Sequence, residues 1–231
     1  MNTKKRHGVV LGAVLAMAGA ATAGNQVWLK QTVEGSLVKE GAWAPLQVKF
    51  EQEEKYDERR IIDSETLLLV GWKMNPYLSA FVGDRWVYER ASGGKGHMRP
   101  EQRPTFDLCL AAPEFWALKF DFRSRFEYRD KHGSSAYMRY RERLRLRTSW
   151  SVTDFKISPY AREELFFSDK PDTKKSDLYD RNRAQIGLSC CPVPTLKGLS
   201  MNLYYMVQHD WKNAHGWKPT NVFGLEVGYK F

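Results

Sequence analysis

Residues 119–129 read KFDFRSRFEYR, and residues 138–147 read MRYRERLRLR. In both stretches a charged residue occupies every second position, and aromatic or aliphatic residues fill most positions between them. Side chains alternate between the two faces of a β-strand, so this period of two predicts strands with one charged and one apolar face. A helix would spread the same arginines around its whole circumference. Residues 223–231, FGLEVGYKF, repeat the alternation at the end of the chain.

The charged faces are predicted to form one ladder of arginines and acids on the inside of the fold. Its predicted members are Arg123, Arg125, Glu127, Arg139, Arg141, Arg143, Arg145, Arg147, Arg162, Glu164, Arg181 and Arg183. Five arginines on one strand face repel each other unless acids of neighbouring strands approach them. The acids expected on the inward faces are Asp107, Asp121, Glu127, Glu164 and Glu226.

Two all-β architectures are compatible with such strands, a soluble sandwich and a transmembrane barrel. The predicted strands have about nine or more residues, the length of a tilted transmembrane strand. Aromatic residues also lie near predicted strand ends, as in the interfacial girdles of outer-membrane barrels. These residues are Trp72, Tyr77, Trp116 and Trp150 beside short turns, and Trp86, Tyr88, Tyr137, Phe166 and Phe167 toward longer loops. The sequence therefore favours an antiparallel transmembrane β-barrel.

The N-terminus has the features of a secretory signal. Three basic residues at positions 4–6 precede an uncharged stretch, residues 9–21, which is too short to span a bilayer. Ala21-Thr22-Ala23 supplies the small residues of a cleavage site. We expect a signal peptide over residues 1–23 and one barrel domain over residues 24–231, located in the outer membrane. The signal holds three of the 36 Lys and Arg residues, which leaves 33 against 27 acidic residues.

Turn residues give a predicted strand count. Short turns are expected at residues 74–76, 111–113, 149–154 and 191–195, and longer polar loops at residues 51–60, 90–102, 129–135, 168–177 and 209–219. Short turns are typically periplasmic and long loops extracellular. Counting from Trp43 gives ten strands that end at Phe231. Residues 25–34 resemble a further strand, either a periplasmic element or part of a twelve-strand barrel.

Several motifs of this chain resemble the family named domain of unknown function 2490. They are Arg103-Pro104, Arg123 to Arg129, Arg139-Tyr140-Arg141, Pro159-Tyr160 with Glu164, Arg181-Asn182-Arg183 with Gly187, and Asn221 to Gly224. The resemblance covers Leu46 to the end and implies a bacterial outer-membrane barrel. It implies no activity, cofactor or catalytic residue. Phe231 is similar to the terminal aromatic by which barrel-assembly machinery recognises its clients.

Two functions of the lumen remain open on sequence alone. Salt bridges could fill a narrow barrel and hold its shape, because eight strands enclose a space just filled by side chains and open channels need about sixteen. The same arginines could instead line a narrow pore or pocket for an anionic solute, because arginine rings favour anions. Lipids and lipopolysaccharide are the expected surroundings, with Lys170, Lys174 and Lys175 in an external loop. Nucleic acid is not expected, since the chain is exported.

A lipid- or lipopolysaccharide-modifying enzyme is the alternative function. It needs a nucleophile, a base and an orienting group. The histidines after the signal, His97, His132, His209 and His215, fall in predicted loops and show no metal or catalytic spacing. Cys190 and Cys191 are adjacent and lack the CxxC spacing of a redox pair, and Cys109 lies far away. We therefore predict no catalytic residue, metal or cofactor.

Overall fold

The chain folds into a closed barrel of β-strands. The computed structural model describes residues 25–38, 40–41, 45–57, 60–90, 97–148, 157–170, 178–192, 196–212 and 216–231. These residues form eleven strands: β1 (Asn25–Ser36), β2 (Leu46–Asp57), β3 (Arg60–Lys73), β4 (Leu78–Arg90), β5 (Met98–Ala111), β6 (Leu118–Lys131), β7 (Tyr137–Thr148), β8 (Ser158–Ser168), β9 (Tyr179–Cys190), β10 (Leu199–Lys212) and β11 (Gly216–Lys230). In this part of the chain no helix is long and apolar enough to cross a membrane.

The strand count corrects the expectation of ten or twelve. Each strand pairs antiparallel with its sequence neighbour, and β1 closes the barrel by pairing in parallel with β11. The seam runs from Asn25 opposite Asn221 to Glu34 opposite Lys230. The count of ten left β1 outside the barrel because an odd number places the two chain ends at opposite rims. The parallel ladder between β1 and β11 closes the barrel with an odd number of strands. Odd strand numbers are known in transmembrane barrels.

The barrel has two rims that differ in the chain terminus they carry. We call the end at which β11 finishes the C-terminal rim, and the end at which β1 begins the N-terminal rim. Hairpins β2–β3 and β10–β11 turn at the N-terminal rim. Hairpins β3–β4 and β5–β6 turn at the C-terminal rim.

Several predicted loops at the N-terminal rim are strands. β2 continues to Asp57 and β10 to Lys212, so the predicted loops over residues 51–60 and 209–219 are wrong for most of their length. Polar residues occupy both faces there, which hides the period of two. On the outer face Thr66 donates to Gln52 at 2.5 Å, and Gln52 donates to Ser64 at 3.2 Å. The strands, of 11 to 15 residues, therefore extend past the apolar part of the wall.

The outer wall carries a belt of aromatic side chains. Successive rings lie 4.8–6.2 Å apart from Phe106 through Phe126, Tyr140, Phe167, Tyr179 and Trp217 to Trp211. This belt spans β5 to β11. Trp86 and Tyr88 are also exposed outside, as are Trp72, Tyr77 and Trp116 toward the C-terminal rim.

Two aromatics assigned to the girdle point inward instead. Phe166 is buried at 1 % exposure, and Tyr137 stacks beneath the Arg129 guanidinium inside the barrel. Phe166 and Phe167 adjoin a register shift between β8 and β9. Neighbouring residues of a strand face opposite sides, so only one member of the Phe166-Phe167 pair could join an outer girdle.

Beside the seam, part of the interior is apolar, although the inward-facing Lys30 and Glu226 are opposite each other across the seam. Trp28, Tyr204, Met206 and Val222 form a buried cluster, and Tyr160 packs against it. Glycine makes room for the large rings, since a Cβ on Gly224 would lie 1.9 Å from the Tyr204 Cζ atom. This cluster fills part of the lumen, and Lys55, Arg162 and Arg183 lie over its aromatic rings.

Some predictions concern parts of the chain outside the described residues. They are the signal peptide, the turn at 149–154 with Trp150, residues Lys174, Lys175 and His215, and Trp43 as the first strand residue.

Candidate functional site: an arginine-rich lumen

The predicted ladder lies inside the barrel. On β7 the five arginines from Arg139 to Arg147 share the inner face, and β6 presents its charged face beside them. Across this pair of strands Arg139 is opposite Glu127, Arg143 is opposite Arg123, and Arg145 is opposite Asp121. Arg125 is opposite Arg141, so the β6–β7 ladder contains both like-charged and oppositely charged pairs.

Glu127 anchors the end of the ladder nearer the N-terminal rim. Its carboxylate is fully buried and accepts hydrogen bonds from the Arg139 Nε at 2.7 Å, from the Arg139 Nη2, and from the Arg141 Nη1 at 2.7 Å. Charge-assisted hydrogen bonds of this kind are among the strong ones in proteins.

Glu164 on β8 is shared by three strands. Its carboxylate lies 2.8 Å from the Arg123 Nη2, 3.0 Å from the Arg141 Nη2 and 3.5 Å from the Arg183 Nη1. One acid therefore serves three guanidinium groups. Toward the C-terminal rim Asp121 serves two, with Arg145 at 2.8 Å and Arg147 at 3.6 Å.

Arg125 is the most enclosed member of the ladder. It has no exposed surface and binds both oxygens of Asp107, each at 2.5 Å. This two-pronged pair holds β5 to β6.

Phe166 organises the arginines of β7 and β9. Its ring lies beneath the guanidinium groups of Arg141 and Arg183, at 4.6 and 4.7 Å, and close to those of Arg139 and Arg181. A ring face attracts cations, so one buried phenylalanine steadies four like charges. The sequence analysis missed this role because it placed Phe166 on the outer wall.

Arg143 and Arg162 differ from the other ladder arginines. Within the described residues neither has a carboxylate oxygen within 4.0 Å. Arg162 contacts the side-chain oxygen of Gln185, and the Arg143 Nε is buried without any hydrogen-bond partner. Buried N–H groups without partners are rare, because each costs about 1–3 kcal/mol.

Unpartnered N–H groups recur elsewhere in the ladder. The Nε atoms of Arg85, Arg123 and Arg141 and the Nη1 of Arg125 are also buried without a partner. These groups surround the same lumen. Its acids therefore do not use all the donors that its arginines offer.

The lumen contains two cavities. The larger encloses about 660 Å³ and reaches the N-terminal rim, and the smaller encloses about 280 Å³ near the C-terminal rim. Sixteen basic and eight acidic side chains line the larger cavity. Among the described residues, Arg123 and Arg143 are the two that line both cavities. They mark the constriction between them.

The sequence analysis also missed a second group of lumen charges on β2 to β5. Glu65 binds Lys55 and Arg85, and Glu101 binds Arg103 and Arg129. These strands alternate less strictly, since β3 and β4 place Leu67, Leu69 and Val87 inside as well. A pattern search for charges at every second position finds β6 and β7 more easily than β3.

The terminal Phe231 lies at the seam. Its backbone N–H donates to the Glu34 carbonyl of β1 at 3.1 Å, and its ring lies over Gly35, where a Cβ would come within 2.7 Å of it. The residue therefore joins the last strand to the first.

The described residues contain no group of three or more His, Cys, Asp and Glu side chains placed to hold a metal. His97 and His132 are exposed at the N-terminal rim. Cys109 and Cys190 carry free thiols. The geometry thus brings arginines and acids together in the lumen and leaves His97 and His132 outside it.

Comparisons with known proteins agree on this architecture. A crystal structure of the NanC porin superposes with a TM-score of 0.51 at 12 % sequence identity, covering 88 % of this chain and 99 % of that one. At this identity the likeness shows the fold alone. No curated protein matches the sequence at a significant level. The model of a protein family of unknown function, DUF2490, matches residues 25–219, so the chain belongs to that family.

Proposed function

We propose that this protein is a narrow outer-membrane channel that binds and passes small anionic solutes. The excess of basic side chains in the lumen is the observation that carries the proposal. Sixteen basic side chains face the larger cavity against eight acidic ones. In the smaller cavity the numbers are six and three. A ring of arginines lowers the energy of an anion in a pore and raises that of a cation.

The outer wall supports a membrane location. Apolar residues such as Leu68, Val82 and Leu144 are exposed on it, as expected of a lipid-facing band. The aromatic belt would mark one interface, and Trp72, Tyr77 and Trp116 the other. The expected signal peptide would direct export of the chain, and the barrel-assembly machinery would recognise Phe231.

The proposed orientation of the barrel in the membrane rests on the position of the C-terminus. With the C-terminal rim on the periplasmic side, the longer polar strand ends at the N-terminal rim would stand outside among lipopolysaccharide. Lys170 lies there and pairs with Asp180 at 2.7 Å. The larger cavity would then open to the exterior, so an anion would meet the wide basic vestibule first.

A structural barrel is the second candidate, and the Arg125–Asp107 pair favours it. Both side chains of that pair are buried, and eleven strands lie nearer to eight, which side chains just fill, than to the sixteen of open porins. The cavities on either side of Arg123 and Arg143 favour the channel instead.

Single-channel recording separates the two candidates. Refolded protein is added to a planar bilayer, and the zero-current potential is measured across a KCl gradient. The channel proposal predicts discrete small steps with a potential of the sign for chloride preference. Absence of steps in protein that shows heat-modifiable gel migration, and so is folded, would favour the structural barrel. A cation-preferring potential would refute the charge argument.

A further inference from the structure

We infer that Arg143 and Arg162 form an oxyanion-binding site at the constriction of the lumen, where a carboxylate or phosphate group of the solute replaces the missing protein acid. The inference deepens the channel proposal and rests on it for the route by which the anion arrives. Binding itself is a property of the folded barrel and is measurable without conductance.

Arg143 lacks the carboxylate partner that the neighbouring arginines have. Arg123 and Arg141 bind Glu164, and Arg145 binds Asp121, whereas Arg143 between them has no carboxylate. Glu164 faces Arg143 across the β7–β8 ladder but directs its oxygens to Arg123, Arg141 and Arg183. Arg143 is therefore surrounded by cations whose acids are already occupied.

Arg162 adds the second donor from the neighbouring strand. It lies on β8 directly opposite Arg145 and one inward position from Glu164. Its contact with the Gln185 oxygen satisfies one N–H, and Gln185 is held in turn by the Tyr160 hydroxyl, to which it donates at 2.8 Å. The remaining N–H groups of its guanidinium have no carboxylate oxygen within 4.0 Å among the described residues, and Glu164 and Glu226 attract it only from farther away.

The position gives access to an anion. Arg162 lines the larger cavity, and Arg143 lines both cavities. An oxyanion accepts hydrogen bonds from two guanidinium groups at once, and planar guanidinium forks match carboxylate and phosphate geometry. A bound oxyanion would accept hydrogen bonds from the buried N–H groups and would offset the repulsion between the two guanidinium groups.

Inorganic phosphate is the probe. Unfolding temperatures of refolded protein are measured at constant ionic strength, with phosphate replacing chloride, and affinity is measured by titration calorimetry. Phosphate should raise the unfolding temperature of the unchanged protein. Arg143→Gln and Arg162→Gln should each weaken phosphate binding at least tenfold. Arg147→Gln is the matched control, because Arg147 lies on the same face of β7 but pairs with Asp121.

Without phosphate the sign of the stability change is a second readout. Removing an arginine that has no acid relieves repulsion, so Arg143→Gln should unfold at the same or a higher temperature. The inference is overturned if Arg143→Gln lowers that temperature, if phosphate has no effect on the unchanged protein, or if Arg147→Gln loses as much binding. Phosphate binding that depends on Arg143 in a barrel without conductance would support the site and refute the channel.

Discussion

The substitution Glu127→Gln tests the electrostatic core of the barrel. The carboxylate is fully buried and accepts three N–H groups from Arg139 and Arg141. A Gln keeps the shape but carries one oxygen and one NH₂ group, so at least one arginine N–H would face another donor. Removing one partner of a buried ion pair costs about 3–5 kcal/mol. Because one accepting oxygen remains, we expect a loss of about 3 kcal/mol in the free energy of unfolding.

Urea unfolding in lipid vesicles, followed by tryptophan fluorescence, measures that loss. Asp130→Asn is the matched control, because Asp130 is exposed on the outer face of the same strand. Its free energy of unfolding should change by less than about 0.5 kcal/mol. Adding Arg139→Gln to Glu127→Gln should cost less than the sum of the two single changes, since the residues are coupled. A loss below about 1 kcal/mol for Glu127→Gln would refute the role of Glu127 as an anchor.

Three further predictions concern the seam and the rims. Gly224→Ala should destabilise the barrel by about 1–3 kcal/mol, because the new Cβ would overlap the Tyr204 ring. Gly228→Ala is the control, because its Cβ would come close only to the movable Ser200 hydroxyl, at 2.8 Å. It should lower the free energy of unfolding by less in the same urea assay. Ala117→Gly should raise stability by about 1 kcal/mol, since Ala117 has a φ of 63°; a loss would contradict the strain argument. Deleting Phe231 should reduce the heat-modifiable form recovered from outer membranes, while Phe231→Tyr should not.

The sequence predicted the strands whose two faces differ most. β6, β7 and β11 were found because their two faces differ at most positions, with Ser124 and Glu142 as interruptions, and their inward acids follow from the same period. The closure of the barrel was not found, because a parallel seam leaves no turn in the sequence. Strand ends with polar residues on both faces, as on β2 and β10, resemble loops in the sequence because they lack the alternation of polar and apolar residues.

The site itself was predicted in composition but not in arrangement. Alternation identifies Arg143 as an inward residue, yet it does not say that Glu164 is taken by three other arginines. That allocation depends on the register of β7, β8 and β9. Phe166 under four guanidinium groups depends on the irregularity between β8 and β9, which no local pattern encodes.

The native thiol Cys109 gives the most direct test of an anion path through the constriction. It faces the smaller cavity, directly opposite Arg123 in the β5–β6 ladder and beyond Arg143 as seen from the N-terminal rim. In a variant whose Cys190 and Cys191 are replaced by Ser, methanethiosulfonates of equal size and opposite charge are added at the N-terminal rim of the inserted barrel. The account predicts at least tenfold faster modification by the anionic reagent. Equal rates, faster reaction of the cationic reagent, or no reaction from that side would contradict it.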